Sequence, residues 1–211
     1  WGIGTLGAAA REFVDFLAAS GQTVWQMLPI GPTGYGDSPY QVFSSFAGNP
    51  YLIDLDDLAA EGLLERGEYE ARHWGDDPLS VDYGALFRER RAVLAAAVRR
   101  LRETRASELA AFVARESSWL EDYALFMAVK DSQGGAPWSA WPAPLRRRDR
   151  EALDRARSAL GEEVDFWRGV QCLFFRQWDR LHAYASTAGV KIMGDLPFYV
   201  ALDSADVWSR P

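Results

Sequence analysis

Cysteine is almost absent: Cys172 is the only one in 211 residues, which excludes a disulfide framework and a thiolate metal site. It stands among Val170, Leu173, Phe174 and Phe175, the setting of a buried inert thiol rather than a nucleophile. Histidine occurs twice, at His73 and His182, and neither falls in a triad pattern, so both read as structural or solvated. Lysine is confined to Lys130 and Lys191 and arginine supplies the rest of the positive charge, a skew that carries no functional weight. Basic charge is short overall, 23 Lys and Arg against 30 Asp and Glu for a net −7. Such a chain repels a phosphate backbone, which disfavours nucleic-acid binding and leaves a neutral or polyhydroxylated partner as the better fit. Apolar runs never reach the roughly 18 residues needed to span a bilayer, and no secretory leader pattern opens the chain. The expectation is a cytoplasmic protein with no membrane partner and no cofactor or metal. The chain opens on Trp1 and closes on Ser209-Arg210-Pro211 just after a helix start, so both ends read as cut.

What is present is the usage of a folded domain, 48% hydrophobic and 25% charged, in a length that supports one good-sized core. Ala10, Phe13, Phe16 and Leu17 share one face of a helix over 8–20, with Arg11, Glu12 and Asp15 off it and Gly21 as the stop. Val24 to Leu28, closed by Pro29, reads as a strand buried on both faces. The next stretch, Gly31 to Pro50, is rich in Gly, Pro, Asp and Ser and carries no helical or strand period. Ordered loops beyond about 12–15 residues are usually functional, and Tyr35, Tyr40, Phe43 and Phe46 argue against disorder. Helical stripes follow: Phe87, Leu94, Val98 and Leu101, then Leu109, Phe112 and Val113, then Leu120, Tyr123, Phe126, Met127 and Val129. The segment Pro137 to Pro142 breaks the pattern, and the run Arg146 to Arg150 resumes a polar helix.

From Asp165 to Ala188 the residues Phe166, Val170, Leu173, Phe174, Trp178, Leu181 and Tyr184 recur at threes and fours, and Gly189 ends that helix. Val190 to Met193 is a second strand running into Gly194-Asp195-Leu196-Pro197. Asp203-Ser204-Ala205-Asp206 reads as an N-cap with a further acid in the first turn. The order of elements is that of an α/β fold with parallel strands, and the best single expectation is an incomplete (β/α)8 barrel, mostly α within this chain. In such a barrel Asp37, Tyr40 and Asp195 fall at strand ends, where sites form.

Sugar recognition needs flat aromatic faces for the ring C–H groups and fixed carboxylates or amides for the hydroxyls. Tyr35 and Tyr40 are the stacking candidates. They can equally anchor their own loop, and spacing alone leaves both readings open. Nine Trp lean toward sugar only weakly. Asp195 is a candidate for hydroxyl binding or for holding loop N–H groups, and Asp37 is weaker because Gly-Asp-Ser-Pro is also a ready-made turn. Retaining glycosyl transfer needs two carboxyl groups about 5–5.5 Å apart, and nothing in the sequence fixes the separation of Asp37 and Asp195.

The segment Trp25 to Gln41, with Ser44 to Pro50 reading Ser-Ser-Phe-Ala-Gly-Asn-Pro, closely resembles the signature of the 4-α-glucanotransferase (amylomaltase, disproportionating enzyme) family. Gly194 to Ala201 and Asp203 to Trp208 resemble that family's acidic strand-end motif and the turn after it, and Val81 to Gly84 and Trp138 to Pro142 fit more loosely. The resemblance implies a retaining transglycosylase on a (β/α)8 barrel with a helical insertion after the second strand. It divides the chain into a barrel part with its substrate loop at 1–50, an insertion at 51–164 and a return to the barrel at 165–211. The implied partners are maltooligosaccharides or α-1,4-glucans such as starch and glycogen. The implied roles are Tyr40 stacking on the sugar at the cleavage point, Asp195 holding its hydroxyls, Tyr35 and Tyr83 forming a second glucan surface, and Ser38 shaping the loop or touching sugar.

The family's nucleophile stands in an Arg-x-Asp-His context, and neither that motif nor those of its acid/base Glu and third essential Asp occurs here. The strand that should precede Trp1 is missing too. The resemblance therefore implies no catalytic residue within these 211 positions, and the chain alone is expected to be inactive. Two other readings stay open: an α-glucan-binding module without catalysis, although such modules are usually all-β, and a purely structural helical domain.

Overall fold

The computed structural model describes residues 1–34, 36–77 and 79–210. In chain order these form α1 (Ala8–Ala19), β1 (Val24–Gln26), α2 (Leu55–Ala60), α3 (Tyr83–Thr104), α4 (Ala106–Arg115), α5 (Leu120–Ser132), α6 (Ala143–Arg146), α7 (Arg150–Ala159), α8 (Gly161–Thr187), β2 (Lys191–Met193) and α9 (Ala205–Ser209). Three short 3-10 turns lie at Pro50–Leu52, Arg66–Glu68 and Trp138–Ala140. The architecture is mostly helical around one small parallel sheet.

The two strands pair in parallel with Val24 opposite Lys191, Trp25 opposite Ile192 and Gln26 opposite Met193. The ladder extends by Lys191 N–H to Thr23 O at 2.8 Å and Met27 N–H to Met193 O at 2.9 Å. Parallel strands require a crossover, and here it is the whole helical middle of the chain, ending in α8. Gly189 at φ 77° closes α8 in the left-handed region, Val190 N–H returns to Ala185 O, and the chain enters β2 at once.

Helix α8 is the axis of the molecule. Val164, Phe166, Trp167, Val170, Leu173, Phe174 and Leu181 are all buried in it, and α1, α3, α4, α5 and α7 pack around it. A helix apolar on most sides belongs in a core. Its neighbour α5 is buried continuously from Tyr123 to Lys130. Two buried glutamines of α8 act as surrogate strand partners. The Gln171 amide accepts from Gly48 N–H at 2.8 Å and donates to Gly48 O at 3.0 Å, and Gln177 does the same for Asp54 at 2.7 and 2.9 Å. A Cβ on residue 48 would lie 2.0 Å from Phe174 Cδ1, so only glycine lets that backbone approach α8.

Several expectations are corrected. The strand at 24–28 is not buried on both faces: β1 is three residues long, and Val24, Leu28 and, on β2, Met193 are about half exposed. Each strand has one partner among the described residues, so each keeps an open edge. In α1 the buried residues are Val14 and Leu17, which join the hydrophobic core, while Phe13 and Phe16 are exposed at 41% and 62%. Phe13 meets Trp25 edge-on at 5.1 Å, with Phe16 stacked outside it. In α3 it is Leu86, against Gly2 and Trp74, that turns inward, and Phe87 next to it is exposed. Helix α8 begins at Gly161 rather than Asp165, and Tyr184 is exposed, donating its hydroxyl to Asp15 at 2.7 Å. The Arg146–Arg150 run is a junction, with α6 ending at Arg146 and α7 starting at Arg150.

Candidate functional site

The 31–50 loop is ordered by its own backbone. Thr33 and Val42 form an antiparallel bridge, Phe43 N–H reaches Pro32 O at 2.8 Å, and Asn49 N–H closes the base on Ile30 O at 2.8 Å. At its tip Asp37 takes φ 52°, a left-handed turn that Asp tolerates because its short side chain bonds locally. Its carboxylate accepts from Thr33 Oγ1 at 3.2 Å, and burial raises the Asp37 pKa despite that bond. Ser38 Oγ accepts from Tyr40 N–H at 3.4 Å. That contact lies within the turn that leads into Tyr40.

The return limb of the loop is fastened to α9. Asp206 accepts from Ser44 Oγ at 3.0 Å and from Ser45 N–H at 2.7 Å, and Ala205 N–H donates to Phe43 O at 2.8 Å. Ser204 caps α9 by accepting from Val207 N–H. The 203–206 motif is thus a cap, as its sequence indicates, but its second acid also does something spacing could not show. It ties the loop at Ser45 to α9 across 161 residues of sequence.

Across this frame the structure brings Tyr40 and Asp195 together. Tyr40 Oη donates to Asp195 Oδ2 at 2.9 Å over a separation of 155 residues. Asp195 Oδ1 accepts from Leu196 N–H at 2.8 Å. Each carboxylate oxygen keeps acceptor capacity, and Tyr40 is 45% exposed, so a ring and a carboxylate are presented to solvent side by side. The hydrogen bond to Asp195 raises the Tyr40 pKa, because the phenol that donates it resists losing its proton. A cleft of about 170 Å³ adjoins Asp195, lined by Ile30, Ser45, Phe46, Trp178 and Leu196 among others. That is smaller than the roughly 300 Å³ of an ordinary small-molecule pocket.

Other candidates fall elsewhere. Tyr83 opens α3, with its ring 6.4 Å from Tyr51, and the described contacts do not join it to Tyr40 or Asp195. Burial pushes Tyr51 up to about 12, with the charge of Asp37 adding to it and Arg90 opposing. No hydrogen bond among the described residues joins Asp37 to Asp195. Tyr35 lies outside the described residues. Burial raises the Cys172 thiol to about 11, which fits an inert group. His73 and His182 are both exposed. Seven of the nine tryptophans have structural bonds: the indole N–H groups of Trp1, Trp74, Trp119, Trp138, Trp141, Trp167 and Trp208 donate within the protein, whereas Trp178 lines the cleft beside Asp195.

The structure thus sets a strand-end carboxylate beside an exposed tyrosine, and comparison with known proteins gives the class of protein that carries them. The pattern of the family described as 4-alpha-glucanotransferase matches residues 1–211, and the chain belongs to that family. It is 52% identical to a 4-alpha-glucanotransferase of Thermus thermophilus and 44% identical to one of Clostridium butyricum, each aligned over 100% of this chain. The chain spans 42% and 43% of the length of those two relatives. The solved structure of an amylomaltase from Streptococcus agalactiae in complex with acarbose superposes at a TM-score of 0.96, with 42% identity over 100% of this chain and 43% of that one. An amylomaltase from Corynebacterium glutamicum, 22% identical, shares the fold at a TM-score of 0.64. Among the described residues no helix is long and apolar enough to cross a membrane.

Proposed function

We propose that this chain is the donor-sugar-binding part of a 4-α-glucanotransferase, an enzyme that moves α-1,4-glucan segments to a sugar hydroxyl with retention. The observation that carries the reading is the Tyr40–Asp195 contact, which joins the two most specific family motifs at the ends of two adjacent parallel strands. Tyr40 offers a ring face to the sugar at the cleavage point, and Asp195 accepts from its hydroxyls. Ser38 holds the turn beneath Tyr40. Tyr83, with Tyr35, belongs to a second glucan-binding surface, and Tyr51 extends it.

The fold reading goes with the function. Strands β1 and β2 are neighbours in a (β/α)8 barrel, residues 51–164 are an insertion between them, and the open strand edges are where further strands pair. In a retaining transfer the donor glycosyl passes through a covalent intermediate on a carboxylate and then to an acceptor hydroxyl. We assign neither carboxyl group to these 211 residues, and they alone are proposed not to transfer glucose. The partners are maltooligosaccharides or longer α-1,4-glucans in the cytoplasm, without nucleic acid or membrane.

The test is to express the complete reading frame that contains this sequence and incubate it with maltotriose. Glucose accompanied by maltooligosaccharides longer than the substrate supports the transferase. Binding of maltooligosaccharide with no new products would instead favour an α-glucan-binding module.

A further inference from the structure

Lysine is so scarce in this sequence that the place of Lys130 calls for explanation. It sits on α5 with 6% exposure, where a long charged side chain is rarely found without a partner. Its Nζ donates to Asp203 Oδ2 at 2.6 Å and to Ala136 O at 3.3 Å. It also lies 4.8 Å from the centroid of Phe43 and 5.9 Å from that of Phe126, within range of a cation–π attraction. Asp203 is itself shared, because its Oδ1 accepts from Trp138 N–H at 3.1 Å, and Trp138 Nε1 donates to Leu202 O at 2.6 Å. One ammonium thus touches the helical middle through Phe126 and Ala136, the loop that carries Tyr40 through Phe43, and the loop that carries Asp195 through Asp203.

The second of those loops has little else to hold it. Between β2 and Asp203, Leu196, Phe198, Tyr199, Val200 and Leu202 are all exposed, Phe198 fully. Among the described residues the Asp195 carboxylate bonds only to Tyr40 and to the N–H of its own neighbour Leu196. The strand fixes the loop at one end. At the other end its ties are the Lys130–Asp203 pair, the Trp138 contacts and the docking of α9.

We propose that Lys130 and Asp203 form a latch that positions the site, holding the 194–203 loop so that Asp195 meets Tyr40. They are positioning residues, since neither touches the exposed faces of Tyr40 and Asp195. The inference rests on the sugar-site reading only for its effect on activity. The geometry of the latch can be tested without any substrate.

The experiment uses the full-length protein labelled with tyrosine carrying 13C at Cζ, with the Tyr40 resonance assigned by its loss in Tyr40→Phe. The Cζ shift responds to the hydrogen bond that the phenol donates, so Asp195→Asn marks the resonance position of a Tyr40 without its carboxylate partner. Lys130→Met keeps the apolar stem and removes the charge. It is expected to move the Tyr40 resonance toward the Asp195→Asn position, with Asp203→Asn moving it the same way and Lys130→Arg restoring part of the wild-type shift. A Tyr40 resonance unmoved in a folded Lys130→Met or Asp203→Asn protein overturns the latch. So does a resonance moved equally by Gln177→Leu, which loosens the core away from the loop. If Lys130→Met does not fold, Asp203→Asn decides the matter alone.

On maltotriose the latch predicts a loss in kcat/KM on the order of 10–100-fold for Lys130→Met, the scale of a small misplacement at a reacting centre. The double variant Lys130→Met/Asp195→Asn should lose little beyond the worse single change. Fully multiplicative losses overturn the coupling. A wild-type protein that makes no longer oligosaccharides refutes the transferase reading and leaves the resonance test of the latch standing.

Discussion

Replacing Gln171 by leucine should cost more stability than its modest change of shape implies. The side chain is fully buried, and both halves of its amide are used, one accepting from and the other donating to the backbone of Gly48. Leucine fills nearly the same space but pairs with neither group, leaving a buried N–H and a buried C=O unsatisfied. Each such orphan costs about 1–3 kcal/mol, and burying a leucine in place of an amide recovers part of that. The balance is a loss of about 3 kcal/mol. For a chain of this length each kcal/mol moves the melting temperature by about 2–4 °C, so Gln171→Leu should melt about 6–12 °C below the wild type by circular dichroism at 222 nm. Gln171→Glu keeps both bonds only when protonated, its O–H then donating to Gly48 O, so its loss should shrink as the pH falls toward the range where the unfolded carboxyl protonates. A fall of less than about 2 °C for Gln171→Leu would refute the surrogate-strand account.

Asp206→Ala removes both bonds that fasten Ser44 and Ser45. It should raise KM for maltooligosaccharides several-fold in the full-length enzyme, read by initial rates. Cys172 should resist alkylation: with its thiol near 11, the thiolate fraction at pH 8 is about one in a thousand. Labelling should climb about tenfold per pH unit until the thiol titrates, and a single thiol should react quickly at pH 8 only after unfolding in guanidinium. Rapid labelling of the native protein at pH 8 would contradict its burial.

Much of the fold is legible in the sequence because helix periodicity is local. The α8 stripe of Phe166, Val170, Leu173, Phe174 and Leu181 is buried as its spacing indicates, and Gly189 ends that helix where expected. The errors share one cause. Hydrophobicity alone points Phe13, Phe16 and Phe87 inward, yet which arc of a helix is covered depends on what lies beside it, and α1 buries Val14 and Leu17 instead. Likewise the apolar run of β1 signals a doubly covered strand, whereas its burial depends on neighbours no local window contains. Tyr40 and Asp195 could be picked out as strand-end residues. Their contact could not, because it depends on the parallel register of two strands more than 160 residues apart. What Gln171, Gln177, Lys130 and Asp206 hold is hidden for a related reason: a polar residue on a helix carries no mark of the distant backbone or loop it satisfies.

Those four polar residues share a logic with the site itself. A loop that must present Tyr40 to solvent cannot be held by burying its tip, so its order has to come from its base and flanks. Here Asn49 N–H closes the base on Ile30, Gln171 grips Gly48, Asp206 holds Ser44 and Ser45, and Lys130 lies against Phe43. The 194–203 loop is treated alike, with Asp203 gripped at one end and β2 at the other, while its middle stays exposed. Polar anchors in dry surroundings are strong and directional, and they leave the faces of Tyr40 and Asp195 unencumbered. Tyr40 Oη occupies only part of Asp195 Oδ2, and Leu196 N–H only part of Oδ1. In the proposed sugar site a pair of adjacent hydroxyls can therefore donate to the carboxylate without breaking either bond that orients it. That readiness comes from anchors set back from the exposed ring of Tyr40 and the free lone pairs of Asp195.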